Sequence, residues 1–241
     1  MTDPRPALHA AILADPGDLA ARHAYADACE EHGDDARAAF VRASLAGDHA
    51  GASCGLDPLT WWRWFGSPTQ DAADRERRLR VNVQAQPDGV LVHVWGKGER
   101  IHWGYQAVVR GGWIDELRMP LAQWLDYNPT AFHPVTRLRP TPGRAVFLGP
   151  GASGLYVRLW QDESIGRLRS LDLRALCPTA DRNGYLLACA RHAFRPWRGL
   201  GEVVLPLSAS EGWQRHVRAQ WGPVLDPDTR VTFAPPLPED E

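Results

Sequence analysis

The stretch RLRVNVQAQPDGVLVHVW, Arg78 to Trp95, restricts the fold more than any other part of this 241-residue chain. Apolar and polar residues alternate on both sides of Pro87-Asp88-Gly89. A period of two places successive side chains on opposite faces of an extended strand, which the helical period does not do. Proline presets a negative φ and glycine tolerates a positive one, so the three turn residues predict a β-hairpin. The same alternation runs on through RIHWGYQAVVRGGWIDELRM and predicts further antiparallel strands, broken at Gly111-Gly112.

The first fifty residues read differently. Leu8, Ile12 and Leu13 follow Pro4 and Pro6 at helical spacing, and Asp15-Pro16-Gly17 stops that helix. Asp18 is placed to cap a second helix from Leu19 to about His32, with Gly33 as its left-handed terminator. Asp34 or Asp35 is placed to cap a third, which passes Phe40 and Leu45 and ends at Gly47 and Gly51. Asp27 and Glu31 share a helix face, and an ion pair from Asp27 to Arg37 or Arg42 would lock the second helix to the third.

These residues carry a resemblance. Asp15-Pro16, Tyr25-Ala26-Asp27, Glu30-Glu31-His32-Gly33-Asp34 and Arg37-Ala38-Ala39-Phe40-Val41-Arg42 resemble the pattern of the bacterial repeat-companion domain, a short helical module, over about residues 7 to 44. Ala28 and Cys29 stand where that family usually has Trp and Leu, and His23 where it prefers an aliphatic residue. The resemblance implies that Tyr25, Asp27, Gly33, Arg37 and Phe40 form a structural or docking device. It supplies no activity to transfer, and it implies leucine-rich-repeat-like units farther along the chain.

Such units are present in degenerate form. WIDELRMPLAQWL (Trp113 to Leu125) and LGEVVLPLSASEGWQRHV (Leu200 to Val217) each pass from strand-like alternation through Pro-Leu into helical spacing. Each returns to a short strand, PVTRLR (Pro134 to Arg139) and TRVTF (Thr229 to Phe233). Between them, Leu168, Leu171, Leu173 and Leu176 of GRLRSLDLRAL resemble a leucine-rich-repeat strand. The spacing from Leu171 to Val204 to Val231 is uneven, which argues against a regular solenoid and for a short, partly parallel sheet.

Chemical motifs are sparse. Cys29, Cys54, Cys177 and Cys189 are far apart, so no zinc knuckle or redox pair is encoded locally and buried free thiols are expected. Ser153 in GPGASGLY lacks the glycine spacing of a nucleophile elbow, and GKGER lacks the frame of a phosphate loop. His93 and His102 would have to face each other across strands to bind a metal, and no further ligand stands beside them. Neither cofactor nor metal is expected. No apolar run is long enough for a membrane span and no leader precedes the first helix, so a cytoplasmic location is expected.

Charge and aromatic content supply the partner reading. All basic residues but Lys97 are arginine, and they concentrate in residues 135–220, with 13 basic against 6 acidic residues. The eleven tryptophans include Trp61, Trp62 and Trp64 in WWRWF, while RHAFRPWRG interleaves Arg191, Arg195 and Arg198 with Trp197. Tryptophan and arginine are enriched at binding hot spots because each joins a broad contact face to a polar group. The expected architecture is of the α+β / α/β class: an N-terminal three-helix module packed on a mixed sheet of β-hairpin and irregular leucine-rich-repeat-like strand-turn-helix units. Its expected divisions are a helical module over 1–50, a Trp-rich connector over 51–77, a mixed α/β domain over 78–236 and an acidic tail over 237–241. The expected function is a non-catalytic adaptor that binds another protein through Trp61, Trp62, Trp64, Arg191, Arg195, Trp197 and Arg198. Nucleic-acid binding by the arginine-rich 135–220 region is the alternative, and an unrecognised enzyme the third; a membrane partner is not expected.

Overall fold

The computed structural model describes residues 2–65, 79–97, 102–141, 157–176, 197, 199–207 and 211–235. N-terminal helices lead into an eight-stranded mixed sheet with interspersed short helices, the strands following one another in chain order. The class is therefore α+β / α/β. The chain divides into two compact units: Met1–Leu117 with Pro129–Val135, and Arg118–Asn128 with Thr136–Glu241.

In the first unit the helices are α1 (Arg5–Ala14), α2 (Leu19–Glu31), α3 (Asp35–Leu45), α4 (His49–Cys54) and α5 (Pro58–Phe65). The Asp18 carboxylate accepts a hydrogen bond of 2.9 Å from the Ala21 N–H and starts α2, and Gly33, at φ +76°, follows its end. The cap expected before α3 takes another form. Asp34 makes no side-chain cap bond, and Asp35 stands inside the first turn, where its charge favours the helix N-terminus.

Gly51 does not end α3. Gly47, at φ +76°, closes that helix, and Asp48 then opens α4 by accepting from the Gly51 N–H at 2.8 Å. A Cβ on Gly51 would lie 2.8 Å from the capping carboxylate carbon, so glycine is what lets Asp48 reach its partner. The WWRWF stretch is also helical. Asp57 accepts from the Thr60 N–H at 2.8 Å, and Pro58 occupies the first helical position, where a missing N–H costs nothing.

The strands of this unit are β1 (Leu79–Gln86), β2 (Gly89–Lys97), β3 (His102–Arg110) and β4 (Trp113–Pro120), the last continuing into the second unit. The hairpin closes with Gln86 opposite Gly89, and β2 pairs antiparallel with β3. Gly89 does not adopt a positive φ; it is needed because a Cβ there would come within 2.8 Å of the Val109 carbonyl oxygen. Positive φ appears instead at Gly111 (+56°) and Gly112 (+88°), which turn the chain from β3 to β4. Val90, Val92, Val94, Ala107 and Val109 occupy one face of the sheet and are buried.

The second unit contains α6 (Leu121–Tyr127), β5 (Arg137–Thr141), β6 (Ser170–Asp172), β7 (Glu202–Pro206), α7 (Glu211–Trp221) and β8 (Arg230–Ala234). β5 to β8 pair in parallel, with Leu138, Leu171, Val203 and Val231 in one register row. Val203, not Val204, therefore stands beside Leu171, which makes the recurrence more even than expected, at roughly thirty residues. Leu168, Leu171, Leu173 and Leu176 are all buried. Glycine allows the backbones to approach closely here: a Cβ on Gly201 would lie 2.7 Å from the Arg169 carbonyl oxygen.

Candidate functional site

Side chains from α2 and α3 converge on one backbone turn, Gly111-Gly112, and Arg37 is the residue of the expected motif that bonds to it. Arg22 projects from α2 and donates from Nη1 to the carbonyls of Arg110 (2.9 Å) and Gly111 (3.0 Å), and from Nη2 to Pro16 (2.6 Å). Arg37 projects from α3 and donates from Nη2 to the Gly112 carbonyl at 2.9 Å. The Gly112 N–H donates in turn to the Ser44 hydroxyl at 2.9 Å. Three helical side chains thus satisfy backbone groups that a buried turn would otherwise leave unpaired.

The turn fits only as glycine. A Cβ on Gly111 would collide with the Arg22 guanidinium, and one on Gly112 would lie 2.7 Å from Val41 Cγ2. Both residues also hold positive φ. Sterics and backbone conformation therefore select the same residue twice over.

Arg37 is the unusual member. Its side chain is buried, and among the described residues no ion pair joins it to a carboxylate and its Nη1 has no hydrogen-bond partner. Five rings surround the guanidinium carbon: Trp64 and Phe65 at 5.1 Å, Trp113 at 5.2 Å, Phe40 at 5.4 Å and Tyr25 at 5.9 Å. Aromatic faces carry negative quadrupole charge, and a desolvated cation over such a face gains about 2 kcal/mol or more. Burial pushes the Arg37 pKa down, with the neighbouring Tyr25 opposing the shift. The rings and one carbonyl thus take the place that a counter-ion holds in most buried arginines.

Nearby ionisable groups respond to the same burial. His133 donates from Nε2 to the Phe65 carbonyl at 3.1 Å as a neutral ring, and burial brings its pKa down to about 4, with the charges of His9 and Arg37 acting in the same direction. His9 is lowered by burial and then by Arg37. Burial raises the Tyr25 hydroxyl and the Cys29 thiol, so neither is an activated nucleophile at neutral pH. Cys54, by contrast, is exposed, against the expectation of buried thiols.

The other named residues fall as follows. Arg42 pairs with Asp27 and Glu30, each at 2.7 Å, so the α2–α3 ion pair uses Arg42 and leaves Arg37 to the rings. Trp61 is 1% exposed and donates from Nε1 to the Tyr105 hydroxyl at 3.1 Å; Trp64 is half-buried against Phe40. Trp197 stacks on Trp160 at 3.9 Å with an interplanar angle of 11°, and donates to the Leu159 carbonyl. Both Trp61 and Trp197 are core residues of their own units. Arg191, Arg195, Arg198 and Ser153 lie outside the described residues, as does the environment of the Trp62 side chain.

His93 stands opposite Gln106, and His102 opposite Lys97, so the two histidines are not cross-strand partners. Among the described residues, no group of three or more His, Cys, Asp or Glu is placed to hold a metal ion. No helix there is long and apolar enough to cross a membrane. Arg22, Trp113 and His133 were not expected at this site. Their sequence signal was weak, because a long-range contact to a glycine turn leaves no local periodicity. Compared with known protein families, curated proteins and solved structures, the chain finds no match.

Proposed function

We propose that the chain is a non-catalytic adaptor, in which a helical module of the repeat-companion type is joined to degenerate leucine-rich-repeat-like strand-turn-helix units and the assembly holds another protein. The observation that carries this reading is where the motif's polar groups are directed. Arg22, Arg37 and Ser44 bond to backbone atoms of one turn, and Tyr25 and Cys29 are raised away from reactive ionisation. Side chains spent in this way build a preformed surface and leave no poised acid, base or nucleophile among them. On the outside, Leu19 and Leu59 are 61% and 56% exposed, and Asp27, Glu30, Glu31 and Asp35 are exposed around α2 and α3. With Asp27 and Glu30 already paired to Arg42, the exposed leucines are the anchors this reading relies on, and they suit a partner with an apolar groove.

Arginines in residues 135–220 support the nucleic-acid alternative less, since Arg139 and Arg174 both pair with Asp172 and Arg158 pairs with Asp126. The test is affinity capture from a bacterial lysate, followed by reconstitution of the captured protein in purified form. A Leu19→Glu/Leu59→Glu variant with an unchanged thermal melt is expected to bind that purified protein at least tenfold more weakly. A dissociation constant that does not move with this variant, or capture of no protein at all, would overturn the reading.

A further inference from the structure

The outer face of β1–β3 is independent of the helical module's surface and has a different chemistry. Register pairing sets Arg80 directly opposite Trp95, and Trp95 opposite Gly104 on its other side. Asn82 pairs with His93 one step along the same face. Arg80 and Asn82 are exposed, and the Trp95 side chain is 46% exposed. Directly opposed residues share a face, so the indole stands between a guanidinium and a position with no side chain.

Two observations select the kind of partner. First, the three strands LRVNVQAQ, GVLVHVWGK and HWGYQAVVR contain Arg80, Lys97 and Arg110 and three histidine or asparagine residues, but no aspartate or glutamate. Arg110 is held by Asp88 at 2.7 Å and by Asp115 and Glu116 of β4, which leaves Arg80 as the basic group directly opposite Trp95. Second, among the described sheet residues the exposed large hydrophobic side chain is an indole, and the residue opposite it on β3 is a glycine. A Trp lying across Gly104 to cover it would explain a large residue there, but not one that leaves nearly half of its surface in water.

We infer that this face binds single-stranded nucleic acid, with a base stacked on Trp95, phosphate held by Arg80, and base edges within reach of Asn82 and His93. Every base has a π-face, so an aromatic platform beside basic groups binds single strands with little sequence preference. A protein partner needs an apolar core at the interface, whereas Leu91 and Val108 of this face are buried and its exposed described residues are Trp95, Arg80, Asn82 and Gln84.

The experiment is fluorescence anisotropy of a labelled twelve-nucleotide oligothymidylate titrated with the full chain at low and moderate salt. Wild type is expected to bind the single strand in preference to a duplex of the same length, with affinity falling as salt rises. Trp95→Leu keeps apolar bulk without a stacking face and is expected to lose about tenfold or more, while Trp95→Phe recovers much of that loss. Arg80→Gln is expected to weaken binding and flatten the salt dependence. Each variant changes an exposed position and is checked by circular dichroism. Equal affinity for wild type and Trp95→Leu, equal affinity for duplex and single strand, or no binding at low salt would overturn the inference.

Discussion

The two units accommodate a buried charge in opposite ways. In the first, Arg37 lies among five rings with one hydrogen bond to the Gly112 carbonyl. In the second, Asp172 is buried and receives Arg174 at 2.7 Å and Arg139 at 3.0 Å. Asp172 Oδ1 also accepts from the Arg174 N–H, and Arg174 Nη1 reaches the Pro235 carbonyl at 2.7 Å. A carboxylate neutralises charge wherever the fold brings one close, whereas a ring cage works only if several aromatic residues arrive together. The first solution therefore depends more heavily on tertiary packing, and its disruption should cost more.

Removing Arg37 is the severest test of that comparison. Arg37→Ala leaves the Gly112 carbonyl unpaired and opens a cavity between the rings, and should destabilise by about 3–5 kcal/mol. Arg37→Met fills the same space without charge. A smaller loss in denaturant melts for Met than for Ala would show that the cage is held chiefly by packing; equal losses would assign the stability to the cation and its hydrogen bond. Gly112→Ala comes next. Its positive φ and the approach of Val41 predict a cost of about 2–4 kcal/mol, with faster hydrogen exchange in peptides spanning residues 105–117.

Acid should separate the units as well. Neutral His133 has a folded pKa of about 4 against an ordinary value of 6.5, so the unfolded chain binds more protons between those limits. Its contribution is therefore fully present above about pH 6.5 and is lost as pH falls toward 4, by roughly 3 kcal/mol at most. His9, also lowered by burial, acts in the same direction. His133→Gln should flatten the stability profile between pH 4 and 6.5 in chemical denaturation; a profile unchanged by the substitution would remove this residue from the account.

Asp172→Asn tests the ion-paired solution. The change leaves Arg139 and Arg174 with an amide in place of a carboxylate, at a site where Arg174 is 14% and Arg139 25% exposed. A loss of about 1–3 kcal/mol is expected, below that of Arg37→Ala. If Asp172→Asn proves the costlier of the two, the contrast between rings and carboxylate is reversed. The smallest effect belongs to Arg42→Ala, whose pairs with Asp27 and Glu30 are exposed to solvent, so its loss in denaturant melts should be the least of the set and shrink further with added salt.

Local chemistry was readable without coordinates where the signal and its partner lie close in the chain. Asp18 and Gly33 bound α2, Pro87-Asp88 turns β1 into β2, and the Pro-Leu steps lead from β4 into α6 and from β7 toward α7. Asp57-Pro58 carries an equally local start signal for α5, just ahead of the tryptophans. Gly51 and Gly89 were recognisable as special positions, but their reason is a neighbour's approach rather than a positive φ.

What a residue does at long range was decided by tertiary structure alone. Arg37 and Arg42 sit five residues apart on one helix and look equivalent as partners for Asp27. One points into an aromatic cage around Gly112, and the other outward to two carboxylates. Trp61 and Trp95 are likewise both tryptophans in amphipathic segments, yet one is core and the other exposed. The sequence determined periodicity, caps and turns, because those interactions span only a few residues. Burial and pairing were settled by tertiary structure, because they depend on which segments the folded backbone brings face to face.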